Sequence, residues 1–210
     1  MRRLALLLLA AILAGCSTPP TYYSTVNTQP LRLASGELEA GGIAFITPSS
    51  VTGQEQEKHS VALAYADVLK RDRPNVKVVT LPETLGAVNK AGLVQPYRRM
   101  YEDYRETALL PADVLRGVSA ATGARYLAQL QLQYYKQDSK GRFGVLGLRI
   151  SETLYGDLRI FLQVWDARDG SIAWEGTQEL RMAMDSTSNL PVTLRELLER
   201  SAKDLLSKVP

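Results

Sequence analysis

The chain has 210 residues, 45% of them apolar, with 25 Lys and Arg against 22 Asp and Glu. Such a length and composition are typical of a protein with one globular domain. The formal charge of +3 falls to +1 without Arg2 and Arg3, because 23 basic residues then stand against 22 acidic ones. Since the chain has no sustained basic stripe, nucleic acid is not expected as a partner. Cys16 is the sole cysteine, which excludes an internal disulfide.

The amino terminus has the pattern of a signal peptide. Arg2 and Arg3 precede an uncharged apolar run over residues 4–14. This run is shorter than the ~20 apolar residues that a membrane-spanning helix needs. It leads into Leu13, Ala14, Gly15 and Cys16. These four residues resemble the lipobox of bacterial lipoproteins.

The lipobox resemblance implies a cellular location and a membrane anchor. A signal peptide of residues 1–15 would be removed, and Cys16 would carry a diacylglyceryl group and a further acyl chain such as palmitate. Two or more chains hold a protein firmly on a membrane. In lipoproteins of Gram-negative cells an aspartate after the cysteine commonly signals retention in the inner membrane, so Ser17 implies the outer membrane.

The segment after the cysteine has the composition of a linker. Residues 16–41 are rich in Ser, Thr, Pro and Gly, which favours a lipidated cysteine on a flexible tether. A mobile tether of about 25 residues would average ~28 Å from end to end. Tyr22 and Tyr23 are interpreted as exposed linker aromatics, with docking on the domain or a partner as the alternative. The domain is then predicted to span residues 42–210.

The first half of this domain alternates strands and helices. An apolar run over residues 43–46 predicts a buried strand, and apolar spacing from about Glu57 predicts a helix. Residues 76–80 predict a second strand. A capping box at Thr80 and Glu83 begins the next helix, and two more are predicted over residues 96–108 and from about 111 to 123.

The second half predicts antiparallel strands and one helix. Alternation over residues 126–134, with Tyr134 on the apolar side, indicates a strand with one buried face. Residues 158–164 repeat this pattern, and the Asp169-Gly170 turn predicts that residues 172–182 return as the second arm of a hairpin. A capping box at Thr193 begins a long amphipathic helix. The fold class predicted is α/β, with α+β character: one mixed sheet of about five strands packed by helices.

Several motifs support a family resemblance over most of residues 42–210. These are Gly123-Ala124-Arg125-Tyr126-Leu127 and the run from Val164-Trp165-Asp166 through Gly170 to Trp174. They resemble the envelope domains related to the TolB amino-terminal domain, a group that includes the curli-secretion lipoprotein and lipoprotein activators of penicillin-binding proteins. The resemblance implies a non-enzymatic role in building or regulating envelope machinery.

Two segments are candidates for partner binding. Tyr97, Tyr101 and Tyr104 share one helix face, which suits an aromatic docking surface or packing on the sheet. The glycine-rich apolar segment 141–150 contains Phe143, Val145 and Leu146. It favours a hairpin that binds a partner or touches the membrane, or an ordinary extension of the sheet. It is too short for two membrane-crossing strands of ~9–11 residues with their turns, so no pore is predicted.

No catalytic or metal-binding pattern stands out. His59 is the only histidine and is interpreted as a surface residue, and the chain lacks G-x-S-x-G, Walker and G-x-G-x-x-G motifs. Apart from the lipid on Cys16, no cofactor is expected. The sequence therefore favours a lipid-anchored periplasmic domain that binds an envelope protein, with homo-oligomer formation open. A small-ligand carrier or hydrolase is the alternative.

Overall fold

The computed structural model describes residues 20–50, 55–145, 148–186 and 192–210, which form one mixed sheet of seven strands with six helices. In chain order the elements are β1 (Thr21–Pro30), α1 (Glu37–Gly41), β2 (Ile43–Phe45), β3 (Ser49–Ser50), α2 (Glu55–Asp72), β4 (Val78–Val79), α3 (Leu81–Lys90), α4 (Val94–Thr107), α5 (Ala112–Thr122), β5 (Tyr126–Val145), β6 (Leu148–Asp166), β7 (Ser171–Ser186) and α6 (Leu194–Leu206). The predicted mixed α/β class is confirmed. The predicted number of about five strands is wrong, because β1 and β3 also join the sheet.

The sheet has a parallel half and an antiparallel half. The strand order is β1-β7-β6-β5-β2-β4, with β3 paired to β5 beside this path. The short strand β2 runs parallel to both β4 and β5, whereas β5, β6, β7 and β1 form an antiparallel series. Helices lie between the parallel strands β2, β4 and β5 along the chain, and a tight turn at residues 167–170 joins the antiparallel strands β6 and β7.

Much of the predicted tether belongs to the folded domain. All ten residues of β1 pair with β7, from Thr21 opposite Ala183 to Pro30 opposite Trp174. Leu33 and Leu38 are buried in the core. The composition of β1 is that of a linker because most of its side chains are exposed. The strand is stabilised by its backbone hydrogen bonds with the edge of β7 rather than by apolar burial. Cys16 and the cleavage motif lie outside the described residues.

Side-chain contacts attach β1 to the domain as well. The guanidinium of Arg200 on α6 lies over the Tyr22 ring, 4.6 Å from its centroid. Gln178 Nε2 on β7 donates a hydrogen bond to Ser24 Oγ at 2.9 Å. Tyr22 therefore docks on the domain, which was the alternative to an exposed linker aromatic.

The sheet has a hydrophobic core on each face. On one face, α2 and α6 pack against the antiparallel strands through Tyr65 and Leu197, among others. On the other face, α4 and α5 cover Leu127 and Trp165 with Met100 and Leu115. The capping box predicted for α6 is present: the Thr193 N–H donates to Glu196 Oε2 at 2.8 Å and the Glu196 N–H to Thr193 Oγ1 at 3.2 Å.

A buried polar chain fixes α2 and α6 on the sheet. The Tyr65 hydroxyl lies 2.7 Å from Ser201 Oγ, and Ser201 Oγ donates to Gln178 Oε1 at 2.5 Å. Burial raises the pKa of Tyr65, although its hydrogen bond with Ser201 acts in the opposite direction. Because each of these buried polar groups has a partner, the series of hydrogen bonds specifies how α2 and α6 pack on β7.

The turn between β6 and β7 has little free space. Gly170 has a φ of 76°, which L-residues rarely adopt. A Cβ atom at this position would lie 2.6 Å from the Cβ of Ala112, in the first turn of α5. The turn predicted at Asp169-Gly170 is therefore confirmed, and its glycine is also required by close packing.

Candidate binding surfaces

The three tyrosines of α4 do not share one environment. Tyr97 and Tyr104 are buried, whereas Tyr101 is partly exposed. The Thr47 N–H donates to the Tyr97 hydroxyl at 2.8 Å, and Tyr101 donates its hydroxyl to the carbonyl of Pro48. These two tyrosines hold the loop after β2 against α4. Whether any of the three contacts a partner remains a prediction.

Tyr104 begins a series of hydrogen bonds that runs from α4 to β6 and then to β7. Its hydroxyl donates to Gln163 Oε1 at 3.0 Å, and Gln163 Nε2 donates to Glu175 Oε2 at 3.2 Å. Burial, followed by the charge of Glu175 and by Tyr101, raises the pKa of Tyr104 to about 12. The phenol therefore stays protonated near neutral pH and acts as a donor.

A cleft of about 770 Å³ opens beside these tyrosines, between the end of α4 and the sheet. We call it the α4 cleft. Its lining residues come from β3, α2, α4, β5 and β6: Ser49, Ser50, Lys58, Tyr101, Tyr104, Arg105, Glu106, Thr107, Ala108, Gln131, Phe161 and Gln163. Lys58 Nζ lies 5.2 Å from the centroid of the Tyr101 ring. The buried Ser49 Oγ has no hydrogen-bond partner among the described residues. This lining can accept a polar group.

Beyond the α4 cleft the same side of the antiparallel sheet is uncovered. A shallow groove of about 720 Å³ runs across β1, β7, β6 and β5. We define the open sheet face as the groove residues whose side chains point away from α2 and α6: Tyr23, Thr25, Gln133, Tyr134, Asp157, Arg159, Glu179 and Arg181.

Charged side chains on the open sheet face form pairs across β6 and β7. Arg181 binds Asp157 through two contacts, Nε to Oδ1 at 2.6 Å and Nη2 to Oδ2 at 3.2 Å. In the next row, Arg159 Nη2 lies 2.5 Å from Glu179 Oε1. Both arginines are mostly exposed, so these pairs stabilise the fold little and their charges remain available to a partner.

Two aromatic side chains flank these pairs. Tyr23 on β1 is 65% exposed and Tyr134 on β5 is 46% exposed. Tyrosine and arginine, together with tryptophan, are enriched among the residues that supply most of the binding energy at protein interfaces. The opposite side of the same strands, with Leu158 and Leu180, is buried under helices. The open sheet face is thus a polar surface with exposed aromatics, backed by the helix-covered side of the same strands.

A β-bulge places Tyr134 on this face. Leu132 pairs with Ile160 and Tyr134 with Arg159, so Gln133 is an extra residue in β5. The prediction that Tyr134 lies on the apolar side with Leu132 is therefore wrong. After the bulge Tyr135 packs against the core. A pattern of alternating apolar and polar residues does not reveal the position of one inserted residue.

A network of charges lies at the other end of β5 and β6. Arg125 Nη2 lies 2.7 Å from Asp166 Oδ2 and its Nη1 lies 3.1 Å from Glu37 Oε1, while Arg168 Nη2 contacts Asp166 at 2.9 Å. Burial would raise the pKa of Asp166, but hydrogen bonds from Arg125 and Arg168 outweigh it and hold that pKa well below its usual range. The network joins α1, the residue that precedes β5, the end of β6 and the β6–β7 turn. It lines neither cleft nor groove, so we assign it a structural role.

The segment predicted to contain a partner-binding or membrane-touching hairpin continues the sheet. Within it, Phe143 pairs with Ser151 and Val145 with Leu148. Leu146 lies outside the described residues. We call residues 139–145 of β5 and 148–154 of β6 the hairpin arm. Its role in binding remains a prediction.

No group of three or more His, Cys, Asp or Glu that could hold a metal ion occurs among residues 20–50, 55–145, 148–186 and 192–210. His59 is exposed on α2. In the same described part of the chain, no helix is long and apolar enough to cross a membrane.

Comparison with known proteins gives similarities at the level of the backbone. No protein-family model matches the chain. None of the curated proteins matches it either. The chain is similar to the PelC dodecamer from Paraburkholderia phytofirmans, with 16% identity, a TM-score of 0.44, and coverage of 89% of this chain and 95% of that one.

Two further solved structures are similar at lower scores. Lipoprotein GNA1162 from Neisseria meningitidis has 13% identity and a TM-score of 0.39, with 80% of this chain and 97% of that one covered. The LpoB C-terminal domain from Escherichia coli has 13% identity and a TM-score of 0.36, with 66% of this chain and 82% of that one covered.

Proposed function

We propose that this chain is an envelope lipoprotein, anchored in the outer membrane through lipid on Cys16, whose domain binds another envelope protein. Binding occurs without catalysis, through the open sheet face. The observation that carries this proposal is the combination of exposed Tyr23 and Tyr134 with the arginines of β6 and β7 on one face of the antiparallel sheet. Cys16 and Ser17 in their lipobox context support the anchor and its membrane.

The recognition chemistry follows from the side chains on this face. Arg159 and Arg181 can exchange their carboxylate partners on β6 and β7 for acidic groups of a binding protein, because both pairs are solvent-exposed. Tyr23 and Tyr134 offer apolar area with a polar tip. The fitting partner is therefore a protein surface with acidic and apolar groups side by side.

Photocrosslinking in intact cells tests this function. A photoreactive residue replaces Tyr134 in the full-length chain, and a matched control replaces Leu63, which is 37% exposed on α2. The proposal expects one reproducible envelope protein crosslinked from position 134 and not from position 63. Equal yields from both positions would contradict it. Adducts only between copies of this chain would assign the face to self-association.

The α4 cleft supports a second candidate, the binding of a small polar ligand. Its volume of about 770 Å³ suits a small molecule, and the buried Ser49 hydroxyl lacks a partner among the described residues. Native mass spectrometry of protein taken from cells would reveal a bound compound as added mass. Replacing Gln131, which lines the cleft, by leucine should remove that mass. Protein that carries no added mass would contradict this candidate.

A further inference from the structure

One row of the sheet forms the floor of the α4 cleft. Ser49 of β3 pairs with Gln131 of β5, and Gln131 pairs with Phe161 of β6. Because paired residues of neighbouring strands point to the same side of a sheet, all three side chains line the cleft. The floor therefore passes from a hydroxyl through an amide to an aromatic ring within two strand spacings, ~10 Å. A small molecule on this floor contacts polar and aromatic groups together.

The polar end of the floor offers hydrogen-bond donors. Ser49 is 8% exposed, and its Oγ has no hydrogen-bond partner in the described part of the chain. Gln131 Oε1 accepts a hydrogen bond from Gln133 Nε2 at 3.2 Å, which leaves the Gln131 amide N–H groups to donate. A buried polar group without a partner lowers stability. This end of the floor therefore favours a ligand that accepts hydrogen bonds.

Other polar groups around the cleft already have partners within the protein. The Tyr104 hydroxyl donates to Gln163, and Gln163 Nε2 in turn donates to Glu175. Thr107 Oγ1 donates to the carbonyl of Asp103 at 2.8 Å. The donors of Ser49 and Gln131, rather than these groups, are therefore the ones that a ligand can use.

The charges around the cleft set the charge of the ligand. Lys58 and Arg105 bring two positive charges and Glu106 one negative charge. Arg105 is exposed and forms no ion pair with another residue of the described ranges. The last turn of α4 borders the cleft, and the carbonyl end of a helix adds negative partial charge. The small positive excess suits an anion with one charge better than a phosphate group with two.

We propose that the α4 cleft binds a small organic carboxylate that carries an aromatic ring. The carboxylate accepts hydrogen bonds from Ser49 and Gln131, in the field of the two cationic side chains, and the ring lies on Phe161. The inference rests on the second candidate of the proposed function, ligand binding in this cleft, and it names the class of ligand. It is independent of partner binding by the open sheet face.

Saturation-transfer NMR with benzoate and phenylacetate as probes tests the ligand class. The full mature lipoprotein, with its acylation verified by mass spectrometry, is held in detergent micelles, and micelles without protein correct for binding to detergent. Benzamide and phenylacetamide are the neutral counterparts of the two acids, and inorganic phosphate is added as a competitor. The variants are Arg105→Gln and Gln131→Leu in the lining, with Arg98→Gln as the control, an exposed arginine of α4 outside it.

The expected results separate charge from shape. At least one acid should bind, its amide should bind about tenfold more weakly or worse, and phosphate should not displace it. Arg105→Gln should weaken binding of the acid about tenfold, Gln131→Leu should abolish it, and Arg98→Gln should leave it unchanged.

Several outcomes would overturn the proposal. These are binding of neither acid, equal binding of acid and amide, displacement of the acid by phosphate, and equal binding to wild type and Gln131→Leu. The second candidate function is decided separately, by the added mass in native mass spectrometry. A neutral compound found there would keep the cleft as a ligand site and would rule out the carboxylate.

Discussion

Removal of the Asp166 charge by the conservative substitution Asp166→Asn should destabilise the domain strongly. In Asp166→Asn the side chain keeps its shape but no longer offers a carboxylate to Arg125, whose Nε and Nη2 lie 3.2 and 2.7 Å from Oδ2. The Asp166 side chain is 5% exposed and that of Arg125 is 21% exposed. A hydrogen bond with a charged group at such a site contributes about 1.5–3 kcal/mol.

The other partners of Asp166 change this magnitude little. Arg168 is 66% exposed, so its pairing adds less than about 1 kcal/mol. Arg125 keeps its contact with Glu37. We therefore expect the free energy of unfolding to fall by about 2–3 kcal/mol near neutral pH. Urea unfolding followed by circular dichroism measures it, and the exposed-pair control Glu199→Gln should lose less than about 0.5 kcal/mol.

The pH dependence gives a second readout of the same variant. Because the folded protein holds the pKa of Asp166 below its usual range, the stabilisation is present above the unfolded pKa of about 3.9 and is lost as the pH falls. The difference between wild type and Asp166→Asn should narrow by about 1.4 kcal/mol per pH unit below about pH 4. A loss of unfolding free energy under about 1 kcal/mol at neutral pH would refute this reasoning. A difference between wild type and Asp166→Asn that does not change on acidification would also refute it.

Three further substitutions test packing and hydrogen bonding by the same unfolding assay. Gly170→Ala should lower the free energy of unfolding by about 2–4 kcal/mol, because the alanine would have a positive φ and its Cβ would overlap α5. The control Gly36→Ala, at a φ of 84° with open space around it, should lower it by only about 1 kcal/mol. Equal losses in the two variants would contradict the overlap. Tyr97→Phe removes the acceptor for the loop after β2 and should cost about 1–2 kcal/mol, while exposed Tyr134→Phe should stay within about 0.5 kcal/mol. Ser201→Ala leaves two buried partners unpaired and should cost about 2–3 kcal/mol; a loss under about 1 kcal/mol would mean that the polar chain does not hold α2 and α6.

The sequence predicted the elements whose signals are local. The β6–β7 hairpin follows from the Asp169-Gly170 turn between alternating strands, and α6 follows from the capping box at Thr193. Both signals depend on residues within one turn or one strand of each other. The mixed sheet could be inferred in the same way, since the order of strands and helices restricts how strands pair.

The features that the sequence did not reveal depend on distant partners. Strand β1 is stabilised by pairing with β7, some 150 residues away, and its own composition resembles a linker. One extra residue at Gln133 moves Tyr134 to the opposite face. The open sheet face depends on both features, so its aromatic residues could not be assembled from spacing alone. Tyr97 and Tyr104 matched the helical period equally well as docking residues or as core residues.

The most direct test of the proposed function combines crosslinking with charge reversal on the open sheet face. A photoreactive residue at position 134 is placed in cells that carry Arg159→Glu, and separately in cells that carry the control Arg98→Glu, which breaks an exposed pair on α4. We predict that the adduct with the envelope partner is lost with Arg159→Glu and kept with Arg98→Glu. An unchanged yield in both would contradict recognition through the open sheet face.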